Sequence, residues 1–121
     1  IAKSLAGILA FLQAPRIIEV GAGNGSLAAS ILTALNTRQS LPSDYIIVEI
    51  SPTLRQKQQK TLRLLPESLF QRIRWLDNIP DAIEGIVLAN ELLDALPIDI
   101  YHWHQQILSK IGVDWQDNQF V

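Results

Sequence analysis

The 121 residues contain no cysteine and no methionine. The first absence excludes a disulfide framework, a thiolate metal site and a cysteine nucleophile. The second, with Ile1 as the opening residue, leads us to expect a piece of something longer. No apolar run approaches the roughly 18 residues that span a bilayer, so no membrane-crossing helix is expected. The apolar opening Ile1–Gln13 carries Lys3, Ser4 and Gln13, while Leu5, Ile8, Leu9 and Leu12 recur at helical spacing. That pattern predicts an amphipathic helix rather than a signal peptide. Basic clusters interleaved with aromatics are also missing, so nucleic acid is not an expected partner. Charged residues make up only 18% and hydrophobic residues 48%, which suits one folded domain over 1–121. The charge is uneven: residues 1–76 hold nine basic and four acidic side chains, residues 77–121 one basic (Lys110) and eight acidic. Either the acidic part meets a cationic substrate, or folding mixes both parts on one surface.

The apolar run Arg16–Val20 breaks into Gly21-Ala22-Gly23-Asn24-Gly25, the mark of a buried strand entering a glycine loop. Ser26–Leu35 follows with Leu27, Ile31 and Leu35 on one helical stripe. Tyr45–Ile50 is a second strand. Ser51-Pro52 then opens a helix to about Leu65, because serine caps free N–H groups and proline loses nothing at the first helical position. Further strands are predicted at Leu69–Leu76, Gly85–Asn90 and Ile98–Ile107, and a hairpin arm at Gly112–Val121 turning on Asp117-Asn118. Alternating strands and helices predict an α/β fold, a mostly parallel sheet with helices on both faces. Such sheets bind ligands beyond the carboxyl ends of their strands.

The strand ends carry the chemistry. After the first strand, glycines permit positive φ and close ligand approach, and the helix that follows offers free N–H groups. The same loop also serves as a plain strand-to-helix turn. No Gly-Lys-Ser/Thr follows, which disfavours a nucleoside triphosphate, and Ser26 stands where the dinucleotide fingerprint wants Gly or Ala. Glu19, just before the loop, would repel a pyrophosphate but suits an amino group. S-Adenosylmethionine carries that ammonium, a sulfonium and no phosphate. Glu49 ends the second strand, 24 residues past Gly25, where an acid can accept from both ribose hydroxyls. Asp77 ends the third, suited to an adenine amino group with Leu76 over the ring, or to a simple turn. Asn90 and Glu91 leave the fourth strand, and Asp94 follows. If a helix starts there, Glu91 and Asp94 are i, i+3 neighbours on one face, able to align a planar guanidinium; otherwise Asn90 and Asp94 only cap it.

Three blocks now resemble a known family. Glu19-Val-Gly-Ala-Gly-Asn-Gly-Ser-Leu27, Val48-Glu-Ile-Ser-Pro-x-Leu-Arg55-x-x-Gln58 and Ala89-Asn-Glu-Leu-Leu-Asp-Ala-Leu-Pro97 are similar to the MidA-type S-adenosylmethionine-dependent methyltransferases. The resemblance implies a Rossmann-like class I methyltransferase core, here partial, with S-adenosyl-L-methionine as cofactor and an arginine-containing protein as substrate. Mitochondrial members methylate an arginine of a respiratory complex I subunit during assembly. Residue by residue, it implies that Glu19, Gly21, Ala22, Gly23 and Gly25 face the methionine part. Glu49 would hold the ribose and Asp77 would lie near the adenine, with Ile50 and Leu76 among the cofactor-binding residues; Asn90, Glu91 and Asp94 would serve the reacting nitrogen. It implies a cytoplasmic protein in a bacterium and a mitochondrial-matrix protein in a eukaryote. Family chains are several times longer.

Two other functions stay open from the residues: an NAD-dependent oxidoreductase, through the loop and Glu49, and a non-catalytic assembly chaperone that keeps the cofactor fold. His102 and His104 alternate with Tyr101 and Trp103 and share a strand face. Two imidazoles without a third ligand do not make a metal site, and none is expected. Trp75, Trp103 and Trp115 are read as packing residues.

Overall fold

The computed structural model describes residues 1–13, 15–92 and 96–120. Its elements run α1 (Ala2–Leu9), β1 (Arg16–Val20), α2 (Ser26–Thr37), β2 (Asp44–Val48), α3 (Pro52–Leu62), α4 (Glu67–Phe70), β3 (Ile73–Leu76) and β4 (Ile86–Ala89). Two hairpins follow, β5 (Ile100–His104) with β6 (Ile107–Ile111), and β7 (Trp115–Gln116) with β8 (Gln119–Phe120). The first four strands form one parallel sheet in the order β3-β2-β1-β4.

Alternation along the strands sorts the sheet into two faces. Ile17, Tyr45, Ile47 and Ile73 face Leu5 and Leu9 of α1, Ala28, Ile31, Leu32 and Leu35 of α2, and Leu62 of α3 in the main core. Ile18, Ile46 and Val48 form a smaller cluster with Val20 on the other face. Among the described residues the three long helices therefore lie on one face, not both as expected. The connection from β3 to β4 explains this: residues 77–85 hold bends around Pro80 and no helix.

Two strand boundaries also differ from the sequence reading. The third strand starts at Ile73 rather than Leu69, because Pro66 begins a short helix, α4, that buries Leu69. The stretch Ile98–Ile107 is not a fifth strand of the sheet. Gln105 and Gln106 take left-handed backbone at φ 47° and 64°, and the chain turns back on itself as an antiparallel hairpin. The predicted turn at Asp117-Asn118 is present, with φ 48° and 65°. Every described residue from Leu96 onward is exposed.

Candidate functional site

The register of the sheet decides what can meet. Ala89, Val20, Val48 and Leu76 are successive partners across β4, β1, β2 and β3. The next residues, Asn90, Gly21, Glu49 and Asp77, therefore leave the sheet in one row at its carboxyl edge. Four separately predicted strand ends are one physical edge.

At the β1 end, Gly25 N–H bonds Ala22 O at 2.8 Å, closing the loop in a tight turn. Asn24 Oδ1 accepts from Ser26 N at 3.0 Å and Ser26 Oγ at 2.6 Å, so its side chain caps the start of α2. Gly23 has φ 55°, and nothing lies within 4 Å of where a Cβ would stand, which leaves that side open to a ligand. A cleft of about 360 Å³ opens here, lined by Glu19, Gly21, Ala22, Gly23, Asn24, Ser26 and Leu27, with Asn90 and Glu91 on the facing side.

Glu19 shares the helix-side face of β1 with Ile17 and is only 1% exposed. Tyr45, paired with Ile17 on β2, reaches diagonally along the sheet so that its hydroxyl donates to Glu19 Oε2 at 2.7 Å. Burial holds the Glu19 carboxyl above its ordinary value, and the Tyr45 hydrogen bond offsets part of that rise. Burial and the adjoining Glu19 carboxylate push the Tyr45 phenol upward in turn. A buried acid with a raised proton affinity gains most by meeting a cation, which the amino group of a ligand supplies.

Glu49, 7% exposed, is held from two sides: Ser51 N–H donates to Oε1 at 2.9 Å and Gln58 Nε2 to Oε2 at 3.0 Å. Ser51 is also the N-cap of α3, as its sequence predicts, accepting from Leu54 N at 3.3 Å. Arg55 clamps the adjoining edge: its Nη2 donates to Glu49 O at 2.6 Å, Leu76 O at 3.2 Å and Asp77 Oδ1 at 2.7 Å. Asp77 thus stands at the predicted edge but is ion-paired with Arg55. Ile50 and Leu76 are exposed beside it.

The β4 end is built differently. Asn90 and Glu91 are exposed, and Glu91 takes left-handed backbone at φ 50°. Glu91 itself is not helical, and the expected i, i+3 pairing lies outside the described residues because Asp94 does. Leu92 does fold back on the glycine loop: a Cβ on Gly21 would stand 2.9 Å from Leu92 Cδ1. His102 and His104 stack at 5.8 Å on the exposed first hairpin, and neither lines the cleft. Sequence reasoning missed Asn24, Tyr45, Gln58 and Trp75 as parts of the site. Asn24 and Gln58, each inside a family block, carried the only signal.

Comparison with known proteins identifies the family and the fold. The whole chain, residues 1–121, matches the sequence model of a family described as "putative S-adenosyl-L-methionine-dependent methyltransferase". A crystal structure of an uncharacterized protein from Burkholderia thailandensis is 38% identical, with a TM-score of 0.85, over 99% of this chain and 32% of that one. A protein of the same superfamily from that organism, bound to S-adenosyl-homocysteine, is also 38% identical, with a TM-score of 0.84, over 99% and 31%. The glycopeptide N-methyltransferase MtfA, 11% identical over 98% of this chain and 74% of its own with a TM-score of 0.53, shares the fold alone. No curated protein matches significantly. The chain spans about a third of the length of the Burkholderia proteins.

Proposed function

The chain belongs to this family of S-adenosyl-L-methionine-dependent methyltransferases, and on that premise we propose that its edge cleft binds S-adenosylmethionine and directs methyl transfer to a protein arginine. The observation that carries the cofactor half is the row of strand ends. Glu19 and the open side of Gly23 line the cleft, and Glu49 is held in place at the next strand end. In this reading Glu19 neutralises the amino group, the glycine loop admits the methionine part, and Glu49 accepts from the ribose hydroxyls. The Burkholderia relative bound to S-adenosyl-homocysteine supports the same ligand class.

The acceptor half rests on the family resemblance of the third block and on the exposed Glu91 carboxylate at the same cleft. When bound, the cofactor supplies a sulfonium methyl, so that an N–C bond forms as the C–S bond breaks, leaving S-adenosylhomocysteine and a proton. Glu91 would hold the planar guanidinium, balance its charge and accept the released proton; Asn90 lines the approach. Asp94 enters only through its place in the sequence.

Calorimetric titration with S-adenosylhomocysteine, with NADH as the parallel titrant, tests the cofactor. Binding of the first alone supports the reading, and binding of NADH alone returns the oxidoreductase. Transfer of labelled methyl, followed by hydrolysis and amino-acid analysis, tests the acceptor: methylarginine supports it, and methyllysine overturns it. Tight binding with no transfer to any protein acceptor favours the chaperone.

A further inference from the structure

We infer that Gln58 is a positioning residue that ties the glycine loop to the ribose-facing acid, so that both halves of the cofactor cleft are held as one unit. The inference rests on the cofactor reading above and deepens it.

Gln58 projects inward from α3 and is completely buried, an unusual place for a primary amide unless all its groups are bonded. They are. Nε2 donates to Gly23 O at 3.1 Å and to Glu49 Oε2 at 3.0 Å, and Oε1 accepts from the Trp75 indole N–H at 3.0 Å. The partners dictate the amide's orientation. A carbonyl and a carboxylate only accept and an indole N–H only donates, so a flipped amide would lose all three bonds.

Each partner comes from a different place: Gly23 from the loop after β1, Glu49 from the end of β2, Trp75 from β3. Two of the three are the groups assigned to the methionine and ribose ends of the ligand. Packing reinforces the link, because a Cβ on Gly25 would stand 3.3 Å from the Gln58 Cα. The missing side chain lets α3 approach closely enough for the amide to reach the loop. Both of its donors go to the glycine loop and the strand-end acid rather than to the core around it.

The test uses the full chain, with S-adenosylhomocysteine titration and thermal melting run together. Gln58→Met, of similar length but without polar groups, is expected to weaken binding about 10- to 100-fold through one charge-assisted and one neutral hydrogen bond. Glu49→Gln is expected to cost less in the Gln58→Met background than alone, since the two residues act through a shared contact. Saturating ligand is expected to move the Trp75 indole N–H resonance in the wild type and not in Gln58→Met, although Trp75 does not line the cleft. Lost stability alone would not produce that signature. If Gln58→Met does not fold, Gln58→Glu keeps the length and the acceptor for Trp75. Its binding is expected to fall at neutral pH and recover partly in acid, where the introduced carboxyl regains a proton to donate. Ligand affinity within threefold of wild type in the folded variant, with additive Glu49 effects, overturns the proposal while leaving the cofactor reading intact. Failure of the wild type to bind the ligand overturns both.

Discussion

Glu49 and Glu91 are both carboxylates just past a parallel strand, yet the structure treats them in opposite ways. Glu49 is buried and held by a backbone N–H and a buried amide. Glu91 is exposed on a left-handed residue beside an open cleft. The same contrast runs along the edge: the ends of β1 to β3 are cross-linked by Tyr45, Arg55 and Gln58, and among the described residues none of these bonds reaches the end of β4. A pre-ordered side lowers the entropic cost of holding a ligand that is always the same. An open side would suit the arrival and departure of the proposed acceptor.

Separating binding from transfer would sharpen that contrast most. Glu91→Gln is expected to lower the methyl-transfer rate by about 100-fold or more, because a misplaced acceptor nitrogen loses its near-attack geometry. Affinity for S-adenosylhomocysteine should stay within threefold; single-turnover kinetics and calorimetry read the two quantities. Glu49→Ala should act on the other side, weakening ligand binding by about 1–3 kcal/mol through lost charge-assisted hydrogen bonds. An unchanged dissociation constant would remove Glu49 from the ribose.

Glu19→Gln should move stability and binding in opposite directions. Burial raises the Glu19 carboxyl, so its contribution to stability is complete below the ordinary glutamate value of about 4.3 and is lost as pH rises through the raised value. The neutral amide escapes that loss. Its melting temperature should equal wild type near pH 4 and exceed it increasingly above, while ligand affinity falls roughly tenfold with the lost ammonium partner. A pH-independent gap between the melting curves would refute the ionisation account. The smallest effect belongs to the scaffold: Ser51→Ala removes the α3 cap and should cost about 1 kcal/mol in chemical denaturation. Ligand binding should change little, because Glu49 is held by the Ser51 backbone, not its hydroxyl.

Much of this was legible in the chain because it depends on neighbours in sequence. The β-branched runs, the glycine loop, the Ser-Pro start of α3 and the Asp-Asn turn each encode their conformation within a few residues. The Ile98–Ile107 stretch was misread for a reason of the same kind. Two glutamines are poor turn signals, yet Gln105 and Gln106 reverse the chain. Pro66, just past the predicted end of α3, also starts a second helix.

By itself, then, the sequence determined the order of strands and helices, the glycine loop and the acids that end the strands, since local sterics and hydrophobic period act over short spans. The tertiary structure decided which of those acids are caged and which stand open. Tyr45 reaches Glu19 across 26 positions and Gln58 reaches Gly23 across 35. Such bonds exist only once strand register and helix packing bring distant backbones together, and no pattern along the chain specifies that approach.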